Sequence, residues 1–158
     1  MTEEKKGYVT PLVKRQLPNE VLLSEVERML AAGRDVVLVP KGRSMLPFIR
    51  GEVDKVLLQR VPQSQLKVGD IALACVGERY VMHRIIALDG DQVTLMGDGN
   101  LKATEHCVID DIKAKATHVV SANEKSHDLY TPRRQWAAKV WYSLRPLRRY
   151  LLAIYRRL

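Results

Sequence analysis

Between residue 36 and about residue 120 the chain is a succession of short runs rich in Val, Ile and Leu, each closed off by Gly, Asp or Pro. VVLVP at 36–40 precedes the turn-rich KGRSMLP, and EVDKVLLQRV occupies 52–61. KVGD then leads into IALACV at 71–76, and RYVMHRIIAL is parted from QVTLMGD by Asp89, Gly90 and Asp91. Runs this short, punctuated this often, predict a mainly β, mostly antiparallel domain built from hairpins. Ahead of them a helix is expected over residues 20–32, with Asn19 as N-cap and Gly33 at the C′ position. Val21, Leu22, Val26, Met29 and Leu30 fall largely on one face of it. A chain of 158 residues has enough interior for one core without staples.

Charge is unevenly placed. Lys and Arg number 26 and Asp and Glu 18, yet residues 133–158 hold eight basic side chains and no acid. The body is therefore balanced, and the tail carries the whole excess. Within the tail Trp141, Leu144, Leu147, Leu151, Ile154 and Leu158 recur at threes and fours, which predicts helix, broken near Pro146. The expected organisation is a β domain over 1–132 with its helix at 17–33, a linker over 123–132, and a basic amphipathic helical tail over 133–158. Arginines interleaved with Trp136, Trp141, Tyr142, Tyr150 and Tyr155 suit an anionic membrane surface; packing on the body or on another subunit is the alternative. Nucleic acid is not expected, because a reading domain spreads its basic residues over its contact face. No apolar run reaches the roughly 18 residues a spanning helix needs, and the polar first 16 residues, expected to be ordered only in part, lack a signal-peptide core. A cytoplasmic or peripheral-membrane protein is expected. Two cysteines, Cys75 and Cys107, make no disulfide framework, although one bridge between them stays open.

Three segments carry candidate chemistry. Lys41 to Pro47 follows a strand directly; Gly42 permits a tight turn there and Pro47 limits the backbone beyond Ser44. Such geometry holds a serine hydroxyl at a strand end beside backbone N–H groups. His83 lies inside the strand at 80–88, where alternation puts Val81, His83, Ile85 and Ala87 on one face and Met82, Arg84, Ile86 and Leu88 on the other. Gly97-Asp98-Gly99-Asn100 closes the next strand and supplies a carboxylate able to orient a histidine. Singly, these are a turn serine, a core or surface histidine and a turn aspartate.

Together, in this order and spacing, they resemble the signal peptidase superfamily of serine peptidases, which includes the self-cleaving domains of SOS-type repressors. Gly42, Ser44, Met45 and Pro47 match its nucleophile box, Gly69-Asp70 its glycine-aspartate pair, His83-Arg84 its base box and Gly97 to Asn100 its G-D-x-N box. Histidine-arginine places the resemblance in the endoplasmic-reticulum, archaeal and sporulation-type branch rather than the lysine-base branch. The resemblance implies an antiparallel β peptidase fold, Ser44 as nucleophile, His83 as general base, and an oxyanion and substrate region at Gly42, Arg43, Met45 and Pro47, with no cofactor or metal. An ordinary imidazole titrates at about 6.5 and works without heavy desolvation. For the acid, Asp98 ranks first and Glu105 second, because Thr104 stands where relatives carry a further aspartate; Asp110 and Asp111 lie further on, and a Ser-His dyad is the remaining option. The expected partner is an extended peptide or protein substrate such as a signal or leader peptide. The alternative is a non-catalytic peptide-binding module that keeps the fold.

Overall fold

The apolar runs become strands because alternate side chains find two different cores. In the computed structural model, which describes residues 19–158, helix α1 (Asn19–Ala31) precedes strands β1 (Val36–Leu38), β2 (Lys55–Gln59), β3 (Ile71–Val76), β4 (Arg79–Asp89), β5 (Gln92–Met96), β6 (Glu105–Val108), β7 (Ile112–Val120) and β8 (Ser126–Asp128). Helices α2 (Pro132–Ser143) and α3 (Arg148–Tyr155) follow. Every pairing is antiparallel, in the order β1-β2-β7-β3-β4-β5-β6, with β8 also on β7. The sheet curls into a half-barrel, bringing β6 back against β3.

Strand β3 is buried on both faces, which is why it reads as a continuous apolar run. Ile71 and Leu73 join α1 residues Val26 and Leu30 in one core. Ala72 and Ala74 join Ile85, Val93 and Leu95 in a second core inside the curl. The α1 helix stops at Gly33, whose N–H bonds to the Leu30 carbonyl at 3.0 Å. Residues 1–18 and the expected Asn19 cap side chain lie outside the described residues.

Two expectations change here. A bulge between Ile85 and Ala87 on β4 breaks the predicted alternation, so Leu88 pairs with Val93 and packs in the second core, on the His83 side. An inserted residue shifts the period by one, and no hydropathy pattern announces it. The segment 123–132 is also more than a linker. It contributes β8 and buried Leu129, and the Tyr130 hydroxyl accepts from the Ile71 N–H at 3.0 Å while donating to the Ala116 carbonyl at 2.5 Å. Both cysteines are free thiols, and burial pushes the Cys107 thiol pKa up.

The tail helix breaks where Pro146 requires, in a short 3-10 turn (Arg145–Leu147). Thr131 Oγ1 caps α2 by accepting from the Arg134 N–H, with Pro132 opening the helix. Its apolar residues do not form one stripe. Trp141, Leu144, Leu151 and Leu152 are half-buried or buried, whereas Leu147, Ile154 and Leu158 are exposed.

Candidate active site

The end of β1 feeds the segment 41–47, and Gly42 adopts a φ of +84° to begin the turn. Arg43 is exposed and its carbonyl accepts from the Leu46 N–H at 3.2 Å. Met45 and Leu46 are buried, with Met45 in the first core, so the turn is anchored immediately after Ser44. Met45 is thus an anchor of the serine turn. Pro47 is half-buried. The Ser44 N–H makes no hydrogen bond among the described residues.

The serine turn rests on the G-D-G-N turn. The Gly99 N–H donates to the Ser44 carbonyl at 2.7 Å. A Cβ on Gly97 would lie 2.4 Å from that same carbonyl oxygen, and one on Gly99 would lie 2.4 Å from the Arg43 carbonyl oxygen. Both positions require glycine because another stretch of backbone fills the side-chain space. Register then relates Ser44 to the histidine. Arg84 pairs with Met96 across β4 and β5, and that register, continued one step past the end of β5, would set Gly97 opposite His83. Directly opposed residues share a face. The Ser44 backbone fills the side-chain space of Gly97.

His83 is buried, and its Nδ1 lies 2.7 Å from Glu105 Oε2. The reach comes from the curl. Glu105 opposes Leu95 and Leu95 opposes Ile85, two residues along β4 from His83 on the same face. The two side chains keep 8% and 15% of their surface exposed. A carboxylate that only accepts suits the imidazole tautomer carrying its proton at Nδ1, in which Nε2 is the accepting nitrogen. No hydrogen bond joins the Ser44 hydroxyl to His83 among the described residues.

Asp98, ranked first for this role on sequence, points elsewhere. Both its oxygens are taken by Arg84, at 2.8 Å from Nε and 2.7 Å from Nη2. Arg84 Nη1 donates to the Gly69 carbonyl at 2.8 Å, and its guanidinium stacks 5.5 Å from the Phe48 ring centroid. Burial works to lower the Arg84 pKa, but the hydrogen bonds and charge of Asp98 outweigh it, and the net shift is upward. Arg84 thus ties the G-D-G-N turn to the Gly69-Asp70 turn. Asp70 is buried, accepts from the Lys67 N–H at 3.1 Å and faces Lys115 Nζ at 3.2 Å. Asp111 accepts from the Val108 N–H at 3.0 Å, and Asp110 from Gln63 at 2.6 Å.

No protein-family model matches the chain, and no curated protein matches it.

Two residues outside the sequence motifs also hold the site. Trp141 Nε1 donates to the Asp98 carbonyl at 2.6 Å, and Arg148 Nη1 to the Asn100 carbonyl at 3.0 Å. Trp141 meets Phe48 edge-on at a centroid distance of 6.5 Å. Arg148 is 2% exposed, and its remaining acceptors are the Trp141 carbonyl and Met96 sulfur; burial draws its pKa down. The signal was their seven-residue spacing, two helical turns, but a tail without acids gave no hint of carbonyl partners. Among the described residues no group of three or more His, Cys, Asp or Glu gathers within reach of a metal ion.

Proposed function

We propose that this chain is a serine endopeptidase of the signal-peptidase type, with Ser44 as nucleophile, His83 as general base and Glu105 as the carboxylate that orients the base. The buried His83–Glu105 pair is the observation that carries the reading, with the serine turn seated on the G-D-G-N turn that follows β5 in support. Ser44 Oγ attacks the scissile carbonyl carbon while His83 Nε2 takes the hydroxyl proton, and the Ser44 N–H receives the oxyanion. The imidazolium passes that proton to the leaving amine, so an ester to Ser44 and a free amino terminus result. Water then adds to the ester with His83 again as base, and Ser44 is regenerated. Apposition in the Michaelis complex tightens catalytic hydrogen bonds that are long beforehand.

The substrate class is an extended peptide. Among the described residues strand β1 pairs only with β2, with no strand on its second edge, and it leads directly to the serine turn with Val37 and Val39 exposed. Addition of a substrate strand there delivers a backbone carbonyl towards Ser44. The resemblance of the four boxes to the histidine-base branch favours a signal or leader peptide. The absent Ser44–His83 bond favours one second reading, a peptide-binding module without turnover.

Ser44→Ala and His83→Ala are expected to abolish cleavage of a peptide library read by mass spectrometry, with circular dichroism unchanged. The losses should be non-additive, because the pair acts as a unit. Turnover near that of the parent in Ser44→Ala sinks the peptidase reading, whereas peptide binding without cleavage by the parent supports the module.

A further inference from the structure

Docking of the tail uses one of its faces and leaves a second apolar stripe uncovered. Trp141, Leu144, Arg148, Leu151 and Leu152 form the inner face. On the outer face Trp136 and Val140 before the break at Pro146, and Leu147, Tyr150, Ile154 and Leu158 after it, recur at threes and fours within each segment, with Trp136 67%, Tyr150 65% and Ile154 59% exposed. Exposed Arg133, Lys139, Arg149, Arg156 and Arg157 flank this stripe, and no acidic residue occurs from 133 to 158. Tyr142 and Tyr155 on the same helices are also exposed, and the remaining exposed large apolar residues lie singly or in pairs on strands and loops, as on any protein surface.

From this arrangement we infer that the outer face of α2 and α3 is a docking surface for an anionic lipid bilayer. An apolar stripe set between unopposed cations matches the boundary where acyl chains meet negative headgroups, and tryptophan and tyrosine rings favour that depth. Nucleic acid answers the arginines but not the stripe; a second copy of the chain answers the stripe but opposes its five exposed cations with five more. No helix among the described residues is long and apolar enough to cross a membrane, so the helices lie in the interface plane. This inference stands apart from the peptidase reading, because no outer-stripe residue bonds to the serine or histidine turns.

Removing the tail is the wrong test, since its inner face belongs to the fold. The full chain is expected to co-sediment at least about tenfold more with roughly 3:7 phosphatidylserine–phosphatidylcholine vesicles than with phosphatidylcholine alone. The triple variant Trp136→Ser, Tyr150→Ser, Ile154→Ser should lose about tenfold or more of that binding at an unchanged melting temperature. Should the triple variant fold poorly, brominated lipid supplies the second measurement: it should quench tryptophan emission in the parent and much less in Trp136→Phe. Raised salt should weaken binding without abolishing it. Absence of sedimentation, equal binding by a folded triple variant, dimerisation through the same stripe by light scattering, or binding of duplex DNA in place of vesicles each overturns the inference.

Discussion

Asp98 and Glu105 are seven residues apart and have different work, and exchanging each for its amide separates the two roles. Asp98→Asn removes the negative partner of Arg84, whose side chain keeps only 13% exposure. Breaking a buried pair from one side costs about 3–5 kcal/mol. The asparagine keeps one acceptor oxygen and Gly69 still receives Nη1, so the loss belongs near the lower end, about 3 kcal/mol. For a domain of this length each kcal/mol moves the melting temperature by about 2–4 °C, giving a drop of about 6–12 °C. Glu105→Gln keeps a hydrogen-bonding oxygen for His83, so its melting temperature should move by only about 2 °C. Its turnover should fall on the order of 10³–10⁴-fold, because an amide neither stabilises the imidazolium nor fixes the tautomer. Calorimetry and peptide turnover at a temperature where both variants are folded read the two effects separately. A folded Asp98→Asn that loses as much turnover as Glu105→Gln, or that melts within about 2 °C of the parent, refutes this division of labour. Replacing Arg84 and Asp98 together by apolar residues should recover part of the stability lost by Asp98→Asn alone.

Gly97→Ala forces its new Cβ against the Ser44 carbonyl oxygen 2.4 Å away, so it should cut turnover by about tenfold or more through misplacement of the serine, checked by kinetics at a temperature where it is folded. Trp141→Phe leaves the Asp98 carbonyl without its indole donor and should lower stability by about 1–2 kcal/mol, read from the urea midpoint. Tyr80 donates to Glu27, and that bond, with burial, pushes its pKa to about 12. Between the ordinary phenol value of about 10 and that value the unfolded chain has released a proton the folded chain retains, so this contribution to stability is lost as pH rises. Urea midpoints across that window should therefore fall less steeply for Tyr80→Phe than for the parent.

The β succession was legible because each strand carries its own pattern and each turn its own Gly, Asp or Pro. So were the places of Ser44 after a strand end and of His83 within a strand, which follow from local spacing. The acid was not. Asp98 precedes Glu105 in the motif order, but adjacent residues on a strand face opposite ways, and Asp98 meets Arg84 while His83 turns to the other face. Glu105 reaches that face only because β6 curls over β5, a tertiary fact with no sequence period. Leu88 was misplaced by the bulge after Ile85. The apolar residues of the tail read as one stripe, but the break at Pro146 re-phases the helix and divides them between an inner and an outer face.

The grip of Trp141 and Arg148 on the G-D-G-N turn has a consequence for how the site breathes. In α3 only Arg148 and Leu152 are buried, and α2 buries none of its residues, so the helices rest on the sheet through little apolar area. Regions with few buried contacts open at free energies well below global unfolding. When this one lifts, the Asp98 and Asn100 carbonyls lose their donors, and the turn holding Ser44 is freed from that side while the sheet stays intact. The amide hydrogen of Gly99, bonded to the Ser44 carbonyl, then exchanges with solvent by this local route. Its exchange rate records how often the seat of Ser44 comes loose.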